Sequence, residues 1–172
     1  MTVEQFRRLP EDSGPVYHEP RHGELVAVTR PKLKHFLIRR NLRELLTPLA
    51  ESGSYVDTKV AYRPLPEHEL WVADVAYVSA ERFRQADPED NIRGAPELVI
   101  EVKSESNTWA ELSERASLCL ANGCRDFWIV DETARTITAI APDGKAVQYS
   151  SEDCVPLPLF GSDCLRVSDV FK

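Results

Sequence analysis

Glu97-Leu98-Val99-Ile100-Glu101-Val102-Lys103 decides how this chain is read. Leu98-Val99-Ile100 is apolar and rich in β-branched residues, without the alternation of a half-solvated strand. Such a run fits a strand covered on both faces. It ends, however, in a carboxylate and an ammonium two residues apart. Side chains at that spacing share one face of a strand, and burying them is costly unless they are paired or bound to a metal ion.

The neighbouring segments supply the rest of a sheet. Downstream, Thr108 to Asn122 has helical spacing, with Leu112, Ala116, Cys119 and Leu120 on its inner face and Gly123 as its stop. Phe127-Trp128-Ile129-Val130 is a second unbroken apolar strand, so strand, helix and strand form a crossover joining two parallel strands. Upstream, Tyr55 to Tyr62 and Leu70 to Val78 alternate as two strands around Arg63-Pro64-Leu65-Pro66, and Ser79 to Gly94 reads as a polar loop. A helix opens at Pro31 and carries Leu33, Phe36, Leu37, Leu42, Leu45, Leu46 and Leu49 until Gly53 ends it. Gly23 to Val28 is a strand, and residues 1–22, with Pro10, Pro15 and Pro20, form an irregular N-terminal arm. Thr136 to Ala141 and Lys145 to Tyr149 make a hairpin, and from Leu157 a closing turn and short element follow. The expected fold is α/β (α+β), with a central mixed sheet flanked by helices in a single domain spanning residues 1–172.

Composition narrows the function. Against 21 basic side chains stand 28 acidic ones, giving a net charge of −7, which argues against an avid, sequence-blind coat on nucleic acid. The charge is uneven: Leu25 to Arg43 holds no acid but carries Arg30, Lys32, Lys34, Arg39, Arg40 and Arg43, a patch able to grip one stretch of phosphate backbone. No apolar run approaches a membrane span and no signal peptide is visible, so a cytoplasmic protein is expected. Cys119/Cys124 and Cys154/Cys164 lack zinc-ligand spacing and read as reduced thiols.

Acid-x-Lys alone is a weak signal, because chance supplies about one match in a chain of this composition. Three occur: Asp57-Thr58-Lys59, Asp143-Gly144-Lys145 in a hairpin turn, and Glu101-Val102-Lys103. The last is set apart by the preceding strand, where Asp74 is the lone acid in Trp71-Val72-Ala73-Asp74-Val75-Ala76. Carboxylates on adjacent buried strands repel, and a divalent cation would relieve the repulsion. The bland alternative is an ordinary ion pair at a strand end.

Asp74 followed by Glu101-Val102-Lys103 resembles the core of the PD-(D/E)XK nucleases. The wider pattern resembles the Uma2 (DUF820) endonuclease-like family. Glu19 with Gly23-Glu24, Ala73-Asp74-Val75, the run from Gly94 to Ser104, and Gly123 with Phe127-Trp128-Ile129-Val130-Asp131 match its motifs in order. The chain departs from it at Ala73, where the family has Pro. It also reads Glu111-Leu112-Ser113-Glu114-Arg115 and Cys119 where many members have Asp-Leu-x-x-Lys and Tyr.

The resemblance implies a restriction-endonuclease-like fold with extra N-terminal strands, and metal-dependent hydrolysis of nucleic-acid phosphodiesters, DNA foremost. Asp74 and Glu101, with the carbonyl of Val102, would hold Mg²⁺ or Mn²⁺. Lys103 would stabilise charge at phosphorus, Glu24 would add an acidic contact, and Arg115 would reach a phosphate. Lys32, Lys34, His35, Arg39, Arg40 and Arg43 would track the backbone, and cutting both strands of a duplex would suit a homodimer. A catalytically silent nuclease-fold module binding nucleic acid or a partner is the alternative. Trp71, Trp109 and Trp128 read as core or rim aromatics, and Asp131 as a turn cap.

Overall fold

The computed structural model describes residues 1–10, 16–29, 32–104, 107–161 and 164–172. Among the described residues, eleven strands and five α-helices follow in chain order. They are α1 (Val3–Phe6), β1 (Val16–Arg21), β2 (Glu24–Thr29), α2 (Leu33–Leu46), β3 (Tyr55–Arg63), β4 (Trp71–Val78), α3 (Ala80–Gln85) and β5 (Ile92–Arg93). Then come β6 (Leu98–Lys103), α4 (Trp109–Ala121), β7 (Asp126–Asp131), β8 (Thr136–Ile140), β9 (Ala146–Tyr149), β10 (Cys154–Pro156), β11 (Cys164–Arg166) and α5 (Val167–Val170).

Seven strands form one mixed sheet in the order β5-β3-β4-β6-β7-β8-β9. The segment Leu98–Lys103 lies at its centre, parallel to β7 in register from Leu98 opposite Asp126 to Lys103 opposite Asp131, with α4 as the crossover. Both faces of β6 are covered, which is why its apolar run is unbroken. Leu98, Ile100 and Val102 pack with Ile38, Leu42 and Leu46 of α2. Val99 packs on the other side with Leu112, Ala116 and Cys119 of α4.

Local chemistry fixes the crossover helix. Thr108 accepts from the Glu111 N–H while the Glu111 carboxylate accepts from the Thr108 N–H at 2.8 Å, a capping box that starts α4. At the other end Gly123 has φ +111°, and a Cβ there would stand 3.2 Å from the Ala95 carbonyl oxygen. Glycine permits both the conformation and the close approach, so the turn after α4 seats against the segment entering β6.

Three regions differ from the sequence reading. Residues 16–21 of the N-terminal arm are not irregular: β1 pairs with β2 as a separate antiparallel hairpin, with His22 (φ +49°) and Gly23 (φ +75°) as a two-residue turn between Arg21 and Glu24. Pro20 is tolerated because β1 is an edge strand, and its carbonyl accepts from the Leu70 N–H. The loop expected over Ser79 to Gly94 contains α3 and β5, with Ser79 as the N-cap of α3. The reading of all four cysteines as thiols holds for buried Cys119 and Cys124, but Cys154 and Cys164 are joined in a disulfide. The β10–β11 hairpin brings them within reach, a pairing that spacing along the chain does not reveal.

Among the described residues, no helix is long and apolar enough to cross a membrane.

Candidate active site

The ladder between β4 and β6 is short: Tyr77–Leu98, Ala76–Val99 and Val75–Ile100 pair, and then the strands part. Asp74 and Glu101 are the next residues on each strand. In place of the next rung, the Asp74 carboxylate accepts the Val102 N–H at 2.8 Å through Oδ2. The notch between the parting strands brings together Asp74, Glu101, Val102 and Lys103.

Each charged member has partners. Asp74 Oδ1 accepts from His35 Nε2 at 2.9 Å and from Arg39 Nη1 at 3.3 Å, both from α2. Glu101 Oε1 lies 2.9 Å from Arg115 Nη1 of α4, and Arg115 Nη2 donates to Glu19 Oε2 at 3.1 Å. The Arg115 guanidinium also lies 4.8 Å from the Trp71 ring centroid. Lys103 Nζ is 3.4 Å from Asp131 Oδ2. The other Asp131 oxygen accepts from the Thr133 and Ala134 N–H groups, both at 2.9 Å, so Asp131 caps the turn and steadies Lys103.

These surroundings divide the two carboxyls. Burial alone would raise Asp74, but the hydrogen bond and charge of His35, the Val102 N–H and Arg39 outweigh it and hold this carboxyl below its ordinary range. Glu101 goes the other way. Burial, with Asp74 and Glu19 nearby, pushes it up to about 8 against the pull of Arg115. Arg115 itself is held firmly cationic despite its burial, because Glu101 and Glu19 face it.

Several residues sit elsewhere than expected. Glu24 is exposed beside the hairpin turn, opposite Arg21, and does not enter the notch; Glu19 does. Glu19 is 3% exposed and accepts from Arg21 at 2.8 Å as well as from Arg115. Arg115 was expected to reach a phosphate, but it is clamped between two carboxylates. His35 and Arg39 do not belong to a surface patch: they lie on the buried stripe of α2 and hold Asp74, leaving Lys32, Lys34, Arg40 and Arg43 on the exposed face. Lys34 Nζ donates to the Glu132 carbonyl at 2.7 Å, placing the start of α2 beside the end of β7. Arg43 lies 3.6 Å from Asp57.

The sequence reading also missed Tyr17, whose hydroxyl donates to Glu19 Oε1 at 3.4 Å. Burial and then Glu19, Asp74 and Glu101 raise that phenol. Tyr17, Glu19 and Arg21 alternate along β1, a signal obscured by reading the segment as irregular. Cys119, at the family's tyrosine position, meets the Tyr62 hydroxyl at 3.3 Å.

The notch suits a hard divalent cation. Glu101 Oε1 is buried and makes no hydrogen bond despite its proximity to Arg115, and Asp74 is held ionised beside it. Among the described residues no cluster of three or more His, Cys, Asp or Glu side chains is arranged around a common point. Two carboxylates and one main-chain carbonyl match Mg²⁺, which keeps several of its waters, better than an all-protein cage.

Comparison with known proteins agrees with this architecture. The structure is similar to the crystal structure described as "a putative nuclease belonging to DUF820" from Anabaena variabilis ATCC 29413. The TM-score is 0.82 at 20% sequence identity, over 99% of this chain and 97% of that one. No curated protein sequence matches the chain. The profile of the Uma2 family, described as "putative restriction endonuclease", matches residues 3–167. With nearly the whole length matched and the same fold, this chain belongs to the Uma2 family, whose core is restriction-endonuclease-like.

Proposed function

We propose that this protein is a metal-dependent endonuclease that hydrolyses phosphodiester bonds of nucleic acid, DNA foremost. The observation that carries the reading is the convergence of half-buried Asp74 and buried Glu101 with Lys103 where β4 and β6 part. Asp74, Glu101 and the Val102 carbonyl would hold Mg²⁺ or Mn²⁺. Such an ion, when bound, polarises a phosphoryl oxygen and lowers the pKa of a coordinated water.

The chain's own residues do the rest. Hydrolysis builds negative charge at phosphorus, and Lys103, on the same face of β6 as Glu101, is the cation placed to offset it. His35 and Arg39 keep Asp74 anionic and oriented. Arg115 and Glu19 position Glu101, whose raised pKa means that it sheds a proton when it takes up a cation. With Arg115 committed inside, the grip on flanking phosphates falls to Lys32, Lys34, Arg40 and Arg43.

A two-fold homodimer and a cytoplasmic site of action belong to the same proposal. In a reducing compartment the exposed Cys154–Cys164 pair would stand as thiols.

The test incubates the protein with supercoiled plasmid and with single-stranded DNA, in Mg²⁺, Mn²⁺ or EDTA, beside Lys103→Ala. Cutting that needs metal and is lost in the variant supports the reading; absence of both cutting and metal binding overturns it. A second reading, a catalytically silent nucleic-acid-binding module, draws on the cations that already face both carboxylates. It predicts binding without cutting in either metal.

A further inference from the structure

Both helices flanking the notch begin at the same end of the sheet. α2 starts near Glu132, just past β7, and Trp109 is the first residue of α4, just past β6. Two of the three tryptophans are buried, Trp71 at 3% and Trp128 at 0% exposure, but Trp109 is 42% exposed. Leaving so large an aromatic in water forfeits its burial. The ring stands 5.8 Å, centroid to Nζ, from Lys103. It is carried on a helix start fixed by the Thr108–Glu111 capping box, and Lys103 already has Asp131 as its ion-pair partner.

We propose that Trp109 is a stacking platform for an unpaired nucleobase, so that the site takes single-stranded or locally unpaired nucleic acid; this rests on the nuclease reading above. A phosphate engaged by Lys103 brings its own nucleoside beside the ring. Within a duplex each base is paired and covered on both faces by its neighbours. A base with a free π-face therefore comes from a single strand, an end or an extruded nucleotide. Charge points the same way: a chain of net charge −7 with a few exposed cations on α2 has a weak hold on backbone, and stacking supplies affinity that phosphate contacts do not.

Because the other two tryptophans are buried, the iodide-accessible part of the fluorescence reports on Trp109. The full chain in EDTA is titrated with a short oligothymidylate, and anisotropy of labelled oligothymidylate and of a labelled hairpin duplex gives the affinities. The expected result is quenching of the iodide-accessible emission by oligothymidylate. Trp109→Ala should bind that strand about tenfold more weakly while its duplex binding is unchanged, and Trp109→Phe should retain most of the affinity. Unaltered oligothymidylate binding in Trp109→Ala, or equal weakening toward both forms, overturns the inference. If duplex is bound while the indole stays silent, this inference alone falls. If the wild-type chain binds neither form, this inference falls, while the nuclease reading stands or falls by the metal-dependent plasmid assay above.

Discussion

Arg115→Met tests the electrostatic design of the notch most directly. The guanidinium lies 2.9 Å from Glu101 and 3.1 Å from Glu19, with all three side chains at least 89% buried. At an effective dielectric of about 20, each contact is worth roughly 5 kcal/mol before desolvation is charged against it. Removing one partner of a buried ion pair typically costs about 3–5 kcal/mol, since the other charge is left without compensation. Methionine keeps an apolar stem on Trp71, so the loss reports mainly on charge. The expected destabilisation at pH 8 is therefore about 3–5 kcal/mol, measured by urea unfolding followed by circular dichroism. Its pH dependence has a definite sign. The folded-state pKa of Glu101 is raised from 4.5 to about 8. The folded chain thus holds the extra proton in that window, and stability falls as pH rises through it. Without Arg115, a charge that pulls this carboxyl down, the fall continues beyond pH 8, where that of the wild type levels off, and the gap between the two widens there. At pH 5, with Glu101 protonated in both proteins, the loss should be smaller than at pH 8 by only about 0.4 kcal/mol, the worth of half-ionising one carboxyl. A loss below about 1 kcal/mol at pH 8, or one that shrinks as pH rises past 8, would refute the reasoning.

Three further outcomes follow from the same geometry. Asp74→Asn leaves Arg39, 5% exposed, without its carboxylate; stability should drop by about 2–4 kcal/mol, and the rise in melting temperature on adding Mn²⁺ should vanish in differential scanning fluorimetry. Leu42→Ala opens a cavity at a fully buried position between α2 and the sheet. It should cost about 2–5 kcal/mol, seen as a lower urea midpoint at unchanged slope. Cys154→Ser removes a cross-link between residues ten apart, worth about 2–3 kcal/mol under oxidising conditions. Thiol titration of the unfolded wild-type chain should find Cys119 and Cys124 before reduction and all four cysteines after it.

Periodicity made the centre of the fold legible. Leu98–Val102 and Phe127–Val130 are covered on both faces, so their apolar runs stand out, and the helix between them carries both a capping box and a stopping glycine. The N-terminal hairpin was hidden because Pro20 reads as a breaker and His22-Gly23 is not the usual Asn-Gly turn. Helix α3 and strand β5 were hidden because they are short and polar, with no buried stripe to give a period. At the site, Asp74, Glu101 and Lys103 stood out as charges inside apolar strands. Glu19 did not, because it looks like any surface acid until the hairpin folds over the notch.

What the residues determine by themselves is the sheet's centre, the crossover, and the presence of two acids and a lysine where burial forces them to be paired. These follow from spacing, since strand and helix periods dictate which side chains share a face. What only the tertiary structure decides is which cation meets which carboxylate. His35 and Arg39 turn inward from a segment that reads as a uniformly basic face, Arg115 is spent on Glu19 and Glu101, and Glu24 stays in solvent. Ion pairs across 14, 35, 39 or 96 residues depend on how strands splay and helices dock. Coulomb's law acts on distance in space, and the chain's order does not carry that distance.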